Sequence, residues 1–152
     1  MKKKQEKNNF YYQAIGRRKE AIARVRLYVV DKEGKARVNN KELKKGQILI
    51  NNEKLLEEVF KKKDEKNRIL SPLRLTDQEE RFAISILVKG GGREVQLGAI
   101  VHGLARALVA ADERFKKVLR ENGLLTRDPR VKERRKVGTG GKARREKQSP
   151  KR

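Results

Sequence analysis

Apolar positions alternate between Ala21 and Val29. Ala21, Ala23, Val25, Leu27 and Val29 fall on one side, and Arg24, Arg26 and Tyr28 on the other. That period of two predicts a strand with one buried and one basic face. In "DKEGKARVNN" Gly34 sits where a turn is expected and residues 36–38 form a return strand, a hairpin signal. Residues 47–50 predict a short strand. A helix with the apolar face Leu55, Leu56, Val59 and Phe60 should follow, capped by Asn51 or Asn52 with Glu53, Glu57 and Glu58 in its early turns. "KKKDEKNR" breaks the pattern, and Pro72 is expected to open an extended piece with Leu73 and Leu75. "RFAISILVKG", rich in β-branched and aromatic residues, predicts a central strand.

Helical spacing returns at Leu97, Ile100, Val101, Leu104, Ala105 and Leu108, predicting a helix over about 96–110. A second helix, over about 112–121, should start on Asp112 and stop at Asn122-Gly123. After Leu125 the apolar pattern ceases. The expected organisation is a basic arm (1–9), one domain (10–125) and an extended basic tail (126–152), with no internal repeat.

Charge sharpens this picture. The 152 residues hold 42 Lys and Arg against 20 Asp and Glu, a formal +22. Such an excess repels itself and seeks a polyanion, most commonly nucleic acid. No continuous apolar run approaches the roughly 18 residues that span a bilayer, so no membrane partner is expected. The absence of cysteine excludes disulfides, thiolate metal sites and Cys nucleophiles, and fits a reducing compartment. "MKKKQEKNNF" lacks the apolar segment of a signal peptide, and a cytoplasmic location is expected.

In "GRRKEAIARVRL" Gly16 allows close backbone approach, while Arg17, Arg18 and Lys19, then Arg24 and Arg26, make a cationic strip suited to phosphate contact. A solvated strand face is the simpler alternative. Lys89 and the glycines Gly90, Gly91 and Gly92 lie between a strand and a helix, where backbone N–H groups bind anions or a mobile turn suffices. Neither nucleotide-binding glycine template fits their spacing. His102 is the only histidine. It has no marked catalytic partner and cannot define a metal site alone, so an RNA contact or a plain helix-surface role is expected. Tyr11, Tyr12 and Tyr28 are too few for sequence-specific single-strand reading. Residues 127–152 carry twelve Lys or Arg and three acids, too little apolar surface to fold alone but well suited to ordering along phosphates.

In order, "AIGRRKEAIARVRL", "ILINNEKLLEEVF", "SPLRL", "VKGGG" with "LGAIVHGLARAL", "LLTRDPRVKERRKVG" and the final "KR" resemble the small-subunit ribosomal protein S-nine family in its bacterial form. The resemblance covers nearly all of residues 10–152. It implies an α+β fold, a small sheet packed on helices like the ribosomal protein S-five domain 2-like fold. The βαβ crossover would be left-handed, where the general rule is right-handed, and an extended basic C-terminal tail would follow. It implies a place in the subunit head on the 3′ domain of 16S rRNA, beside neighbouring head proteins, with no cofactor and no small-molecule substrate. Carried onto this sequence, the rRNA-binding residues are Arg17, Arg18, Lys19, Arg24, Arg26, Lys89, Gly90, Gly91, Gly92, His102, Arg106, Arg127, Arg130, Arg134, Arg135, Lys136, Lys142, Arg144 and Arg145. Lys151 and Arg152 would meet the anticodon stem-loop of the P-site tRNA. The sequence departs from the family pattern in an added hairpin at 31–46, in Val95 where Gly is usual, in Val101 where an Arg usually precedes His-Gly, and in Pro150 between Ser149 and Lys151. A structural constituent of the small subunit is the leading reading. A free RNA-binding or chromatin-like packaging module is the alternative, and no constellation supports an enzyme.

Overall fold

The structure is a computed structural model that describes residues 10–31, 34–38 and 41–138. The basic arm, and Lys142, Arg144, Arg145, Pro150, Lys151 and Arg152 of the tail, lie outside these residues.

The chain opens with β1 (Tyr11–Arg18) and β2 (Ala21–Val29), an antiparallel pair turning at Lys19, whose φ is 47°. A separate small hairpin follows, β3 (Lys35–Val38) with β4 (Lys41–Lys44). Next come β5 (Ile48–Ile50), β6 (Lys54–Leu55), a single helical turn α1 (Leu56–Val59) and helix α2 (Lys63–Leu75). Strand β7 (Phe82–Lys89) leads into α3 (Arg93–Ala111) and α4 (Phe115–Glu121). The main sheet runs β1-β2-β7-β5-β6, with β7 central as its composition predicts and parallel only to β5.

One face of this sheet presents Ala21, Ala23, Val25, Leu27, Ile48, Ile50, Ile84 and Ile86 to α2 and α3. Their side chains Ile69, Leu73, Leu97, Ile100, Leu104 and Leu108 complete one apolar core. At the crossing of α3 over β1, a Cβ on Gly16 would collide with backbone atoms of Ala99 and Gly103, so helix and strand touch main chain to main chain. By length and apolar composition α3 could cross a membrane. This is a longer apolar stretch than the sequence reading allowed, but its Leu97, Ile100, Leu104 and Leu108 are fully buried against the sheet, as in the core helix of a soluble domain.

The opposite face explains a correction within β2. Tyr28, expected on the exposed side, is 6% exposed, and Val29, expected inside, is 42% exposed. The β3–β4 hairpin lays Ala36, Val38 and Leu43 over Tyr28, Leu49 and Ala83 and forms a second, smaller core. The return strand expected at residues 36–38 therefore exists, but it pairs with β4 and not with β2.

Three further expectations are corrected. Asn51 and Asn52 do not cap a helix. Both have positive φ (51° and 62°) and form the turn from β5 to β6, and the Asn51 side-chain oxygen accepts the Val88 N–H at 2.9 Å. The helix expected there shrinks to α1, while the "charged break" and the "extended piece" after it are helix α2. Pro72 sits inside α2, where a proline typically costs about 3 kcal/mol by deleting an i→i−4 hydrogen bond and crowding the preceding turn. The Ser71 hydroxyl offsets part of that loss by donating at 2.8 Å to the Arg68 carbonyl that Pro72 cannot reach. Buried Ile69, Pro72 and Leu73 supply the rest. Finally, Asp112 closes α3 and does not open α4. Its carboxylate accepts the Arg114 N–H at 3.0 Å, and α4 starts at Phe115. The predicted stop is present, with Gly123 at φ 68°.

Candidate nucleic-acid interface

The β1–β2 turn and the β7–α3 turn meet at one end of the sheet. Gly90 and Gly91 take successive positive φ values of 77° and 65°, which only glycine adopts readily. A Cβ on Gly90 would collide with the Glu20 carbonyl, so the two turns can pack only because that atom is missing. Gly92 has open space around it and starts α3 without a side-chain cap. Lys19, Lys89 and all three glycines are exposed at this end, as an anion-binding turn requires.

The adjacent cations Arg17 and Arg18 part company, because neighbouring strand residues point to opposite faces. Arg17 shares its side of β1 with Ile15. Arg18 points toward α3, where the bare backbone of Gly98 makes room for it. A Cβ there would collide with Cδ and Nη1 of Arg18. Arg18 enters a cleft of about 430 Å³ lined by Arg17, Arg18, Arg68, Ser71, Val101, His102, Leu124, Thr126 and Asp128 among others. Its Nε is buried with no hydrogen-bond partner among the described residues. A buried donor on a cation is costly to leave unpaired, and an anionic oxygen entering the cleft would satisfy it.

His102 and Arg106, one turn apart on α3, close the outer edge of β1. The Arg17 N–H donates to His102 Nδ1 at 3.3 Å, and Arg106 donates to the Ile15 carbonyl at 2.6 Å. Burial, and the Arg106 charge after it, push the His102 pKa down, while a hydrogen bond to the Leu125 backbone works the other way. The imidazole is thus neutral at pH 7, with Nδ1 occupied as an acceptor. Arg106 is exposed and His102 half-buried at the cleft.

The chain after α4 folds back along this cleft. Leu124 and Leu125 pack on the core, and the next residues lead to Asp128. The Asp128 carboxylate accepts from the Arg130 guanidinium (2.8 and 2.9 Å) and the Arg130 N–H (3.0 Å), and it lies 3.8 Å from Arg18 Nη2. Those hydrogen bonds hold its pKa well below the usual carboxylate range. The start of the basic segment is therefore tied to the Arg18 cleft by one ionised acid. Arg127, Arg130, Arg134, Arg135 and Lys136 are all exposed, and no helix or strand occurs after Glu121 among the described residues.

Residues 16–152 match the family model described as Ribosomal protein S9/S16. The chain belongs to this family. It is 41% identical over 130 residues to the small ribosomal subunit protein uS9 of Dehalococcoides mccartyi strain BAV1, covering 86% of this chain and 87% of that one. The uS9 protein of D. mccartyi strain 195 is 42% identical over the same coverage. As a Ribosomal protein S9/S16 family member, the chain is a structural component of the small subunit of the cytoplasmic ribosome and not an enzyme.

The S9/S16 chain gathers Arg17, Arg18, Lys19, Lys89, Gly90, Gly91, Gly92, His102, Arg106, Arg127 and Arg130 around one end and one edge of the sheet. Arg24 and Arg26 lie on the face away from the helices, where Arg24 shares a groove with Lys89, and Arg26 donates to Gln13 (2.9 Å) and lies 4.8 Å from the Tyr11 ring centre. The strip read from the sequence is therefore two surfaces. Arg68 and Ser71 escaped the sequence reading because Pro72 hid their helix. Asp128 escaped because an acid in a basic run reads as solvated, and no local pattern marks Arg18 as its partner.

Proposed function

We propose that this S9/S16 family member binds 16S rRNA of the small-subunit head through the turn end of its sheet and the Arg18 cleft, and that its basic C-terminal segment extends that contact to the P-site tRNA. The observation that carries this reading is the tie between Arg18 and Asp128, which starts the basic segment from the cationic cleft. Lys19, Lys89 and the exposed Gly90–Gly92 backbone face the same end of the sheet, and Arg127, Arg134, Arg135 and Lys136 continue from it. Each phosphate neutralised releases counterions, so affinity comes from many contacts acting together and falls steeply with salt. Such contacts position RNA without reading its sequence, which suits a protein with few exposed rings.

Lys142, Arg144 and Arg145 continue the contact with rRNA, and Lys151 and Arg152 meet the backbone of the anticodon stem-loop. For the fold, the parallel pairing of β5 with β7 across α1 and α2 supports the S-five domain 2-like arrangement, whose crossover would be left-handed. Deleting Lys151 and Arg152 tests the tRNA role. Subunit assembly should stay intact while P-site tRNA affinity falls, and unchanged affinity would defeat the assignment. Recovery of the chain only in the free fraction of a sedimentation gradient would favour an independent RNA-packaging module instead.

A further inference from the structure

The sheet face turned away from the helices is only half covered. Over Tyr28, Leu49 and Ala83 lies the β3–β4 hairpin, with its Ala36, Val38 and Leu43. The other half continues the same layer without a cover among the described residues. Cross-strand register puts Ile15 of β1 opposite Arg24 of β2, and Arg24 opposite Leu87 of β7. One pair along, Arg17 meets Ile22 and Ile22 meets Lys89. Ile15 is 38% exposed, and Ile22 and Leu87 are half-buried. With Arg24, Asn51 and Lys89 they line a groove of about 460 Å³.

We propose that this groove docks a segment of a neighbouring small-subunit protein that presents aliphatic side chains and carboxylates. The chemistry of the floor and rim decides between occupants. The floor is aliphatic, whereas splayed RNA bases stack on aromatic rings or guanidinium planes. Tyr28 is buried beneath the hairpin, and the Tyr11 ring is engaged with the Arg26 guanidinium at the far end. The rim carries Arg24 and Lys89, and no acidic residue among the described ones lines the groove. A second copy of this chain, at a formal +22, would bring like charge to that rim, and so would its own residues 1–9 and 139–152. An apolar segment with carboxylates matches both parts. The proposal rests on the chain's place in the small subunit, but not on which surface binds rRNA.

The test uses assembled subunits carrying the full chain with the photocrosslinker p-benzoylphenylalanine in place of Ile15, irradiated and mapped by mass spectrometry. A crosslink to an apolar, acid-bearing segment of another subunit protein is the expected result. Crosslinks only to rRNA, to a second copy or to the same chain would overturn the proposal, as would no crosslink from subunits that contain the variant. A companion Ile15→Lys variant, at a partly exposed edge position, leaves the helix-packed core untouched. The neighbour identified by the crosslink should then be stripped from the subunit at lower salt, with roughly tenfold weaker retention, while this chain stays bound. Unchanged retention of that neighbour would count against the groove. Loss of this chain itself would instead indicate that the face binds rRNA, and would overturn the proposal equally.

Discussion

Replacing Gly16 by alanine tests how closely α3 lies on β1. The added Cβ would sit 2.7 Å from the Gly103 Cα and closer still to the Ala99 carbonyl and the Gly103 nitrogen. Carbon atoms pack at about 3.5–4.0 Å, so the two backbones must separate by about 1 Å. Every atom in the obstruction is main chain, and no rotamer change relieves it. A radial gap of that size forfeits a quarter to a half of each contact along the seam, and α3 contributes the fully buried Leu97, Ile100, Leu104 and Leu108 to the core. Overpacking of this kind typically costs about 1–3 kcal/mol, occasionally more. The seam is long, so a loss of about 2–4 kcal/mol is expected. At about 2–4 °C per kcal/mol for a chain of this size, the midpoint falls by about 4–16 °C. Thermal or urea unfolding of the full chain followed by circular dichroism reads it directly. The control is Gly98→Ala, whose Cβ meets only the Arg18 side chain. A helix-interior Gly→Ala change gains about 1 kcal/mol, so its stability should stay within about 1 kcal/mol of the parent. A Gly16→Ala loss below about 0.5 kcal/mol would refute the claim that the crossing is backbone to backbone.

The same Gly98→Ala variant should displace the Arg18 guanidinium and lower the salt concentration at which the chain leaves the subunit, although the fold survives. For His102, whose folded pKa is depressed, the stabilising neutral form is fully present above the ordinary pKa of about 6.5 and is lost as the pH falls below it. Unfolding free energy should therefore drop as the pH falls below about 6.5, and His102→Gln should flatten the histidine-dependent part of that slope. Asp128→Asn removes the carboxylate between Arg18 and Arg130. Hydrogen exchange at the Arg130 amide should quicken while the α3 amides keep their protection. Ser71→Ala takes the donor from the Arg68 carbonyl beside Pro72 and should cost about 1 kcal/mol in urea unfolding; no change would mean that water serves equally well there.

The legible parts of this fold were those where one surface dominates. The alternation of Ala21 to Leu27, the β-branched run at residues 82–89 and the helical spacing from Leu97 to Leu108 each answer to a single core, and the structure places them as read. Errors came where a second surface or a local compensation intervened. Tyr28 looked exposed because its cover, Ala36 with Val38 and Leu43, arrives from a hairpin whose docking no periodicity announces. Pro72 read as a helix breaker because the compensating hydroxyl of Ser71 is a tertiary-level detail carried by one residue. At the candidate interface, composition identified the cations but not their grouping. Arg17 and Arg18 are neighbours in sequence and lie on opposite faces of β1, while Arg18 and Asp128 are distant in sequence and share a cleft. His102 was readable as a non-catalytic residue, yet its role as acceptor for the Arg17 N–H depends on α3 lying along an open strand edge.

The central claim, that rRNA is held at the turn end of the sheet and along the segment leaving the Arg18 cleft, is tested most directly by a residue-resolved map of protein–RNA crosslinks in intact small subunits. The account predicts strong crosslinks from Lys19, Lys89, Arg127, Arg134 and Arg135, and weak ones from Lys63 and Lys66 on α2. Crosslinks confined to residues 139–152, or spread evenly over every exposed lysine and arginine, would contradict it.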